Sequence, residues 1–323
     1  MATHDAALLA ALGGGAWVSG ADLARARGIS RAAVSKQVAA LRRQGFTIEA
    51  APRRGYRLVG APDRPLPALL QPLLQTRRFG RELRALERVG STNDEAAAWA
   101  RAGAPEGALV LAETQEHGRG RVGRRWHSPP GENLYLSLVL RPPRPPHELP
   151  PLTLAAGLAV FDVCAARGLR PELKWPNDVL LGGKKVAGVL TEMSSEAERV
   201  LHVVIGLGLN VNGTKFPAEL RERATSLRLA SGPGAPPLGR AALLCDLLLR
   251  LEARYHEFLD RGPAAVVAAF RERWAGRGRA VRVQAGDAVL RGVAQDVDDG
   301  GALLVARGGA IERVLSGEVL RWD

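Results

Sequence analysis

Hydrophobic and polar positions follow three different rhythms along the chain. Up to about residue 60 the rhythm is helical and then alternating. Val34, Val38 and Leu41 fall at i, i+4 and i+7 in a segment opened by Ser30, a good N-cap, and stopped by Gly45. A shorter helix over 20–27 precedes it across the Gly28-Ile29 turn, and the runs 46–50 and 56–58 alternate like strands around the basic turn Pro52-Arg53-Arg54-Gly55. Two helices, a tight turn and a hairpin predict a winged helix-turn-helix within residues 1–60. The Pro- and Leu-rich residues 61–79 predict a linker.

From residue 80 the rhythm changes to strands alternating with helices. The strand-like segment 87–89 and the apolar runs at 108–112, 134–140 and 200–211 predict strands. The stretch opened by Ser91 and Thr92 predicts a capped helix to 102, residues 152–167 an apolar helix, and 239–262 with 264–275 a helical pair. Residues 80–275 therefore read as a mixed α/β domain. The last 48 residues, 276–323, hold four short alternating runs (280–283, 288–293, 302–305, 311–315) divided by glycine-rich turns, the pattern of a small SH3-like β-barrel. The fold class expected is a multidomain α+β protein.

Composition narrows the functions. A chain of 323 residues with 46 % hydrophobic content has ample material for packed cores. Its two cysteines form no CxxC or Cys/His spacing, which points away from a disulfide framework or a zinc site and towards a reducing cytoplasm. No basic n-region with a long apolar stretch opens the chain, and no run of about 18 apolar residues is evident, so no membrane association is expected. The net charge of +12 is unevenly spread. Residues 1–60 carry nine Lys/Arg against three Asp/Glu, a net of +6, whereas residues 276–323 balance at seven each. The basic N-terminal part is the nucleic-acid candidate, with Arg31, Ala32, Ser35 and Lys36 outside on the second helix and Arg53 and Arg54 on the wing. The competing view is a small helical interaction module, which would also expose a polar helix face.

The candidate chemistry centres on Gly118-Arg119-Gly120-Arg121-Val122-Gly123-Arg124-Arg125-Trp126, where three glycines and four arginines lie between two predicted strands. Glycine permits close backbone approach, and arginine supplies planar, permanently charged donors suited to carboxylate and phosphate. The glycines spell G-x-G-x-x-G, but the residues after them, Trp126-His127-Ser128-Pro129-Pro130-Gly131, cannot open the helix that a dinucleotide-binding turn needs. Only five lysines stand against forty arginines, and three of the five are Lys174, Lys184 and Lys185. In so Arg-biased a chain, this clustering suggests a need for a compact ammonium. Gly206 and Gly208 on an apolar strand mark a close approach by a ligand or a neighbouring backbone, and Asn210 ends that strand.

Taken together, GRGRVGRRW at 118–126, KWPND at 174–178 and KVAGVLTE at 185–192 resemble the bacterial bifunctional biotin–protein ligases that also repress the biotin operon. The resemblance spans all three expected domains and includes the N-terminal SGADLARARGISRAAVSKQVAALRRQGF. It implies a catalytic domain of the class II synthetase-like biotin/lipoate ligase fold. It implies a two-step reaction in which biotin and Mg·ATP give biotinyl-5′-AMP, and a lysine of the biotin carboxyl carrier protein of acetyl-CoA carboxylase then takes the biotin. By the same resemblance Ser91, Thr92, Asn93, Gln115, Gly118 and Arg119 bind biotin, with Gly188 along its tail. Lys185 and Arg121 serve both substrates and catalysis. Trp126, Asn210 and Arg321 contact ATP. Asp178 is the expected carboxylate for Mg²⁺ or for the acceptor amine. The resemblance further implies operator DNA of biotin genes and an adenylate-bound homodimer. Arg119 and Arg121 are expected inside the loop and Arg124 and Arg125 nearer solvent. The loop is expected to be mobile until ligand arrives. A non-catalytic biotin-sensing regulator is the alternative; a lipoate ligase fits GRGRVGRRW with KWPND less well.

Overall fold

The structure is a computed structural model that describes residues 2–196, 199–286 and 288–322, the side chains of 2–4, 321 and 322 excepted. It divides into two compact units, Met1–Leu74 and Gln75–Asp323.

The first unit holds helices α1 (Ala2–Leu12), α2 (Gly20–Ala26) and α3 (Arg31–Arg43), a hairpin of β1 (Thr47–Ala51) and β2 (Gly55–Gly60), and the short helix α4 (Pro67–Leu70). Side chains cap the second and third helices. Ser19 accepts from the Asp22 amide at 3.0 Å and Ser30 from the Ala33 amide at 3.1 Å. Val34, Val38 and Leu41 are buried as their spacing requires. Two features depart from expectation. The Ala-rich start is the helix α1, with Leu8 and Leu12 fully buried one turn apart. Residues 61–79 are not simply a linker, because Leu66, Ala68 and Leu70 are buried, the first two in the same core as α1. Their apolar side chains gain more from burial there than an exposed connection would allow.

The second unit is built on a seven-stranded sheet in the order β3-β4-β5-β9-β8-β7-β6: β3 (Leu83–Val89), β4 (Leu109–Gln115), β5 (Leu134–Leu140), β6 (Pro171–Lys174), β7 (Asp178–Leu181), β8 (Lys184–Glu196) and β9 (Arg199–Leu209). Only β3 and β4 run parallel; the other neighbours are antiparallel. Every residue of β5 is buried, which explains why its sequence LYLSLVL is apolar but for Ser137 and the Tyr135 hydroxyl. Helix α5 (Thr92–Arg101) packs on β4, β5 and β9, while α6 (Pro151–Ala165) packs on β6 and β8 beneath α8 (Arg240–Arg261) and α9 (Pro263–Arg273). Contrary to the sequence reading, one stretch, Pro146–Ala165, is long and apolar enough to cross a membrane. Its helical part α6 buries twelve of its fifteen residues, as a central helix of a folded core does.

The C-terminal residues form a five-stranded antiparallel sheet in the order β13-β12-β11-β10-β14, from β10 (Ala280–Ala285), β11 (Ala288–Val297), β12 (Leu303–Arg307), β13 (Ala310–Val314) and β14 (Glu318–Trp322). The fifth strand, which no alternating pattern announced, is the one that reaches the site.

Candidate active site

A pocket of about 680 Å³ opens over the β8–β9 pair, a size suited to a small organic ligand. Its floor is made flat by glycine. Gly188 and Gly208 stand opposite each other in the register, and Gly206 stands opposite Leu190. A Cβ at Gly208 would come within 2.6 and 2.7 Å of Trp126 Nε1 and Cζ2, and one at Gly188 within 3.1 Å of the same ring. A Cβ at Gly206 would overlap the amide oxygen of Asn93. The close approach expected at these glycines is thus made by the side chains of Trp126 and Asn93.

KWPND forms one wall. Trp175 donates to Gly301 O at 2.9 Å, fixing the turn to the C-terminal sheet, and Asn177 donates to Val189 O at 2.8 Å, fixing it to β8. Asp178 is then directed at Lys185, whose ammonium lies 2.6 Å from Asp178 Oδ1, though off hydrogen-bond geometry, so that this oxygen has no hydrogen-bond partner. Lys185 also lies 5.3 Å from the Trp126 ring centre. Its neighbour Lys184 turns the other way, donating to Arg221 O at 3.2 Å, as alternation along a strand requires. The Lys185 backbone is zipped to the 220s segment, its N–H bonded to Arg223 O and its C=O accepting from Thr225 N. That segment brings Phe216 and Leu220 to the pocket.

The Arg/Gly loop forms the opposite wall. Trp126 N–H donates to Gly118 O at 2.8 Å and Gly120 N–H to Arg124 O at 2.7 Å, so the loop is a closed bend with Val122 at a φ of 52° near its tip. Gly118 does not line the pocket. Its missing side chain admits Trp126 O, which a Cβ would approach to 2.6 Å. Arg121 is half-buried and donates to Gly317 O at 3.4 Å. Burial pulls its guanidinium below the usual arginine range, against the opposing pull of Asp178 and Glu318. Arg119 was expected inside. It lines the pocket with a partly exposed guanidinium, held 2.8 Å from both Asp94 and Glu192. Arg124 and Arg125 are exposed, Arg124 being paired with Glu318 at 2.6 Å.

Ser91, Thr92, Asn93 and Gln115 meet at the pocket's inner end. Ser91 begins α5 without a side-chain cap; Gln115 Oε1 instead accepts from the Thr92 amide at 2.9 Å. Asn93 has its amide engaged within the protein, accepting from Ser137 at 2.6 Å and donating to Glu192 at 2.7 Å. Asn210 lines the pocket while donating to Thr225 O at 3.0 Å. The side chain of Arg321 lies outside the described residues. Lys174, absent from the expected set, lines the pocket opposite Asp178 in the β6–β7 register. Burial lowers its pKa, Asp178 and Glu318 raise it, and Lys185 and Arg124 lower it further. Its signals in the sequence were membership of the lysine cluster and its place at the head of KWPND.

Five buried side-chain polar atoms among the described residues have no hydrogen-bond partner, and three of them, Arg121 Nε, Trp126 Nε1 and Asp178 Oδ1, belong to this pocket. Buried polar groups are ordinarily satisfied, so their concentration here marks a place where a polar ligand completes the structure.

In the first unit, Arg31, Ala32, Ser35 and Arg53 line a groove between α3 and the wing. Lys36 is exposed outside that groove, and Arg54 stacks 4.5 Å from the centre of the Trp17 ring.

The chain belongs to the biotin protein ligase family. The pattern of the Biotin/lipoate A/B protein ligase family matches residues 85–210, that of the Biotin protein ligase C terminal domain residues 277–322, and that of an HTH domain residues 7–57. More particularly, the chain is 38 % identical over 309 residues to the bifunctional ligase/repressor BirA of Bacillus spizizenii, covering 95 % of this chain and 94 % of that one. It is 38 % identical over 270 residues to the biotin–[acetyl-CoA-carboxylase] ligase of Mycobacterium tuberculosis, covering 80 % and 97 %. Among solved structures it is similar to the Aquifex aeolicus biotin protein ligase in complex with biotin and ATP, at 29 % identity and a TM-score of 0.65, covering 75 % of this chain and 100 % of that one.

Proposed function

We propose that the protein is an ATP-dependent biotin–protein ligase whose N-terminal unit binds operator DNA of biotin genes as a repressor. The observation that carries this is the convergence of the Lys185–Asp178 pair, Arg121 and Trp126 on one glycine-floored pocket, with Arg121 Nε and Trp126 Nε1 buried and without a hydrogen-bond partner.

In the first step a biotin carboxylate oxygen attacks the α-phosphorus of ATP, the bond to the bridging oxygen breaks, and pyrophosphate leaves with biotinyl-5′-AMP formed. Two anions must meet and charge grows on the phosphoryl oxygens, so fixed cations are the main need. Lys185 and Arg121 supply them. Trp126 covers the bound ligands, biotin and nucleotide alike, and Asn210 meets the nucleotide; the family resemblance assigns Arg321 to the nucleotide's phosphates. Ser91, Thr92, Gln115 and Arg119 orient biotin, whose tail passes Gly188, while Gly118 acts from behind the pocket wall by admitting Trp126 O. In the second step the acceptor amine attacks the acyl carbon, the bond to AMP breaks, and an amide forms. Asp178 assists the acceptor amine. Among the described residues no group of three or more His, Cys, Asp or Glu side chains is placed to hold a metal ion, and Asp178 already pairs with Lys185. Mg²⁺ would arrive with the nucleotide, and Asp178 is the carboxylate that would stand near it. Cys164 and Cys245 are both buried, and a cytoplasmic setting and assembly into a homodimer with adenylate bound belong to the same proposal.

Pyrophosphate release with biotin and ATP tests the catalytic part. Wild type releases it, and Lys185→Ala loses at least about 10²-fold in rate, the scale of removing one preorganised donor. A protein that binds biotin without releasing pyrophosphate is a sensor rather than a ligase.

A further inference from the structure

Glu192 closes the KVAGVLTE motif, yet no step above uses it. Its Oε2 atom accepts from two residues at once, Asn93 Nδ2 at 2.7 Å and Arg119 Nη2 at 2.8 Å. The two donors are of opposite kinds. Asn93 is buried at 3 % exposure and is fixed by Ser137, itself fully buried, at 2.6 Å. Arg119 is the exposed front of the Arg/Gly loop and shares a backbone bridge with Arg125. The path also continues inward. Ser137 lies 2.8 Å from Thr92 Oγ1, Thr92 and Gln115 are bonded, and Gln115 Nε2 donates to Ser128 Oγ at 3.1 Å. Ser128 Oγ donates in turn to Trp126 O at 3.1 Å. Both ends of the loop, Arg119 and Trp126, are thereby tied to one buried polar chain running beneath the pocket.

We propose that Glu192 is a positioning residue that latches the Arg/Gly loop, through Arg119, to the Asn93 floor and so sets the loop's grip on biotin. The inference rests on the ligase reading and specifies how that site holds its substrate. A solvated ion pair alone contributes little. This one differs because the carboxylate is held in place by a buried amide, leaving less freedom to lose when Arg119 docks. Asp94, the second partner of Arg119, is 64 % exposed in its side chain and has no such anchor, so it is the weaker arm.

The test measures biotin binding to the full chain by calorimetry without ATP, then KM and kcat for pyrophosphate release. Glu192→Gln keeps an acceptor for Asn93 but removes the charge opposite Arg119. Its expected effect is a rise of about three- to tenfold in biotin Kd and KM, the range of a charge-assisted hydrogen bond discounted for exposure. The kcat value stays within about twofold, because positioning of the ground state and transition state is lost alike. Arg119→Ala gives the same rise, and the double variant is no worse than about twofold beyond the larger single one. Asp94→Asn changes biotin Kd less than Glu192→Gln does. Unchanged biotin affinity in Glu192→Gln, single effects that multiply in the double variant, or a fall in kcat with KM unchanged would each overturn the latch. Wild type that binds no biotin at all overturns the ligase reading instead, so the two failures are distinct.

Discussion

Replacing Gly208 by alanine adds one methyl group at the centre of the pocket floor. That Cβ would sit 2.6 Å from Trp126 Nε1 and 2.7 Å from Cζ2, where ordinary contacts begin about 0.8 Å further out. The ring cannot slide sideways easily, since a Cβ at the paired Gly188 would already be 3.1 Å from it and Lys185 lies 5.3 Å from its centre. The whole ring must lift off the sheet, and it takes the loop end at Trp126 with it. Overpacking of this kind costs about 1–3 kcal/mol, and at about 2–4 °C per kcal/mol for a unit of this size the melting temperature falls by roughly 2–12 °C. Binding loses more, because the ring covers the pocket. Forfeiting an aromatic contact of about 1.5–3 kcal/mol weakens biotin by about 10- to 100-fold. Calorimetric titration of biotin and a thermal melt measure both quantities. Gly14→Ala, where the Cβ meets nothing within 4 Å, serves as the control and leaves both unchanged. Biotin affinity within about twofold of wild type in Gly208→Ala would refute the view that Trp126 lies on the glycine floor and covers the ligand.

Arg121→Gly removes the half-buried guanidinium beside Asp178. The expected outcome is release of activated biotin and labelling of lysines on bystander proteins, read by blotting; labelling confined to the carrier domain contradicts a retaining role. Arg53→Ala lowers the slope of log affinity for DNA against log salt by about 1, whereas Arg54→Ala lowers it by less, because Arg54 stacks on Trp17. Equal slopes for the two variants contradict the stacking argument. Glu252, buried on α8, accepts from the amides of Arg77, Arg78 and Phe79 at 2.7, 2.7 and 2.9 Å. Burial alone would raise its pKa, but those amides outweigh burial and hold it below the ordinary carboxylate value. A depressed folded-state pKa gives stability that is present above the unfolded value, about 4.3, and is lost as pH falls through the folded one. Glu252→Gln therefore costs about 2–3 kcal/mol at pH 7, and the gap to wild type narrows below about pH 4 in denaturant titrations. A gap that stays constant with pH contradicts it.

Where the residues carry a local physical signal, the sequence was informative. Ser30 with Val34, Val38 and Leu41 marked the capped α3, and the Gly/Arg loop and lysine cluster marked the pocket walls. The lysine cluster did not by itself tell Lys184 from Lys185; alternation along β8 does, turning their side chains to opposite sides. The rest depended on partners remote in the chain. α1 was obscured because an Ala-rich helix shows no polar and apolar contrast, although Leu8 and Leu12 are core. Leu66 and Ala68 looked like linker because the surface that buries them is made by residues far earlier. The bonds that hold Asn93 to Ser137 and Glu192, and Arg119 to Glu192 73 residues away, have no signal in the sequence around either residue. The contributions of Glu318 and Leu320 to the pocket came from a strand too short to show a period.

The central claim is that this pocket joins biotin to a carrier lysine through an acyl-adenylate. Incubating the full chain with radiolabelled biotin, ATP, Mg²⁺ and an apo biotin carboxyl carrier domain tests it most directly. The account predicts label on the carrier, dependent on ATP, with one AMP released per biotin transferred and none of this in Lys185→Ala. Labelling that needs no ATP, or that survives in Lys185→Ala, would contradict it.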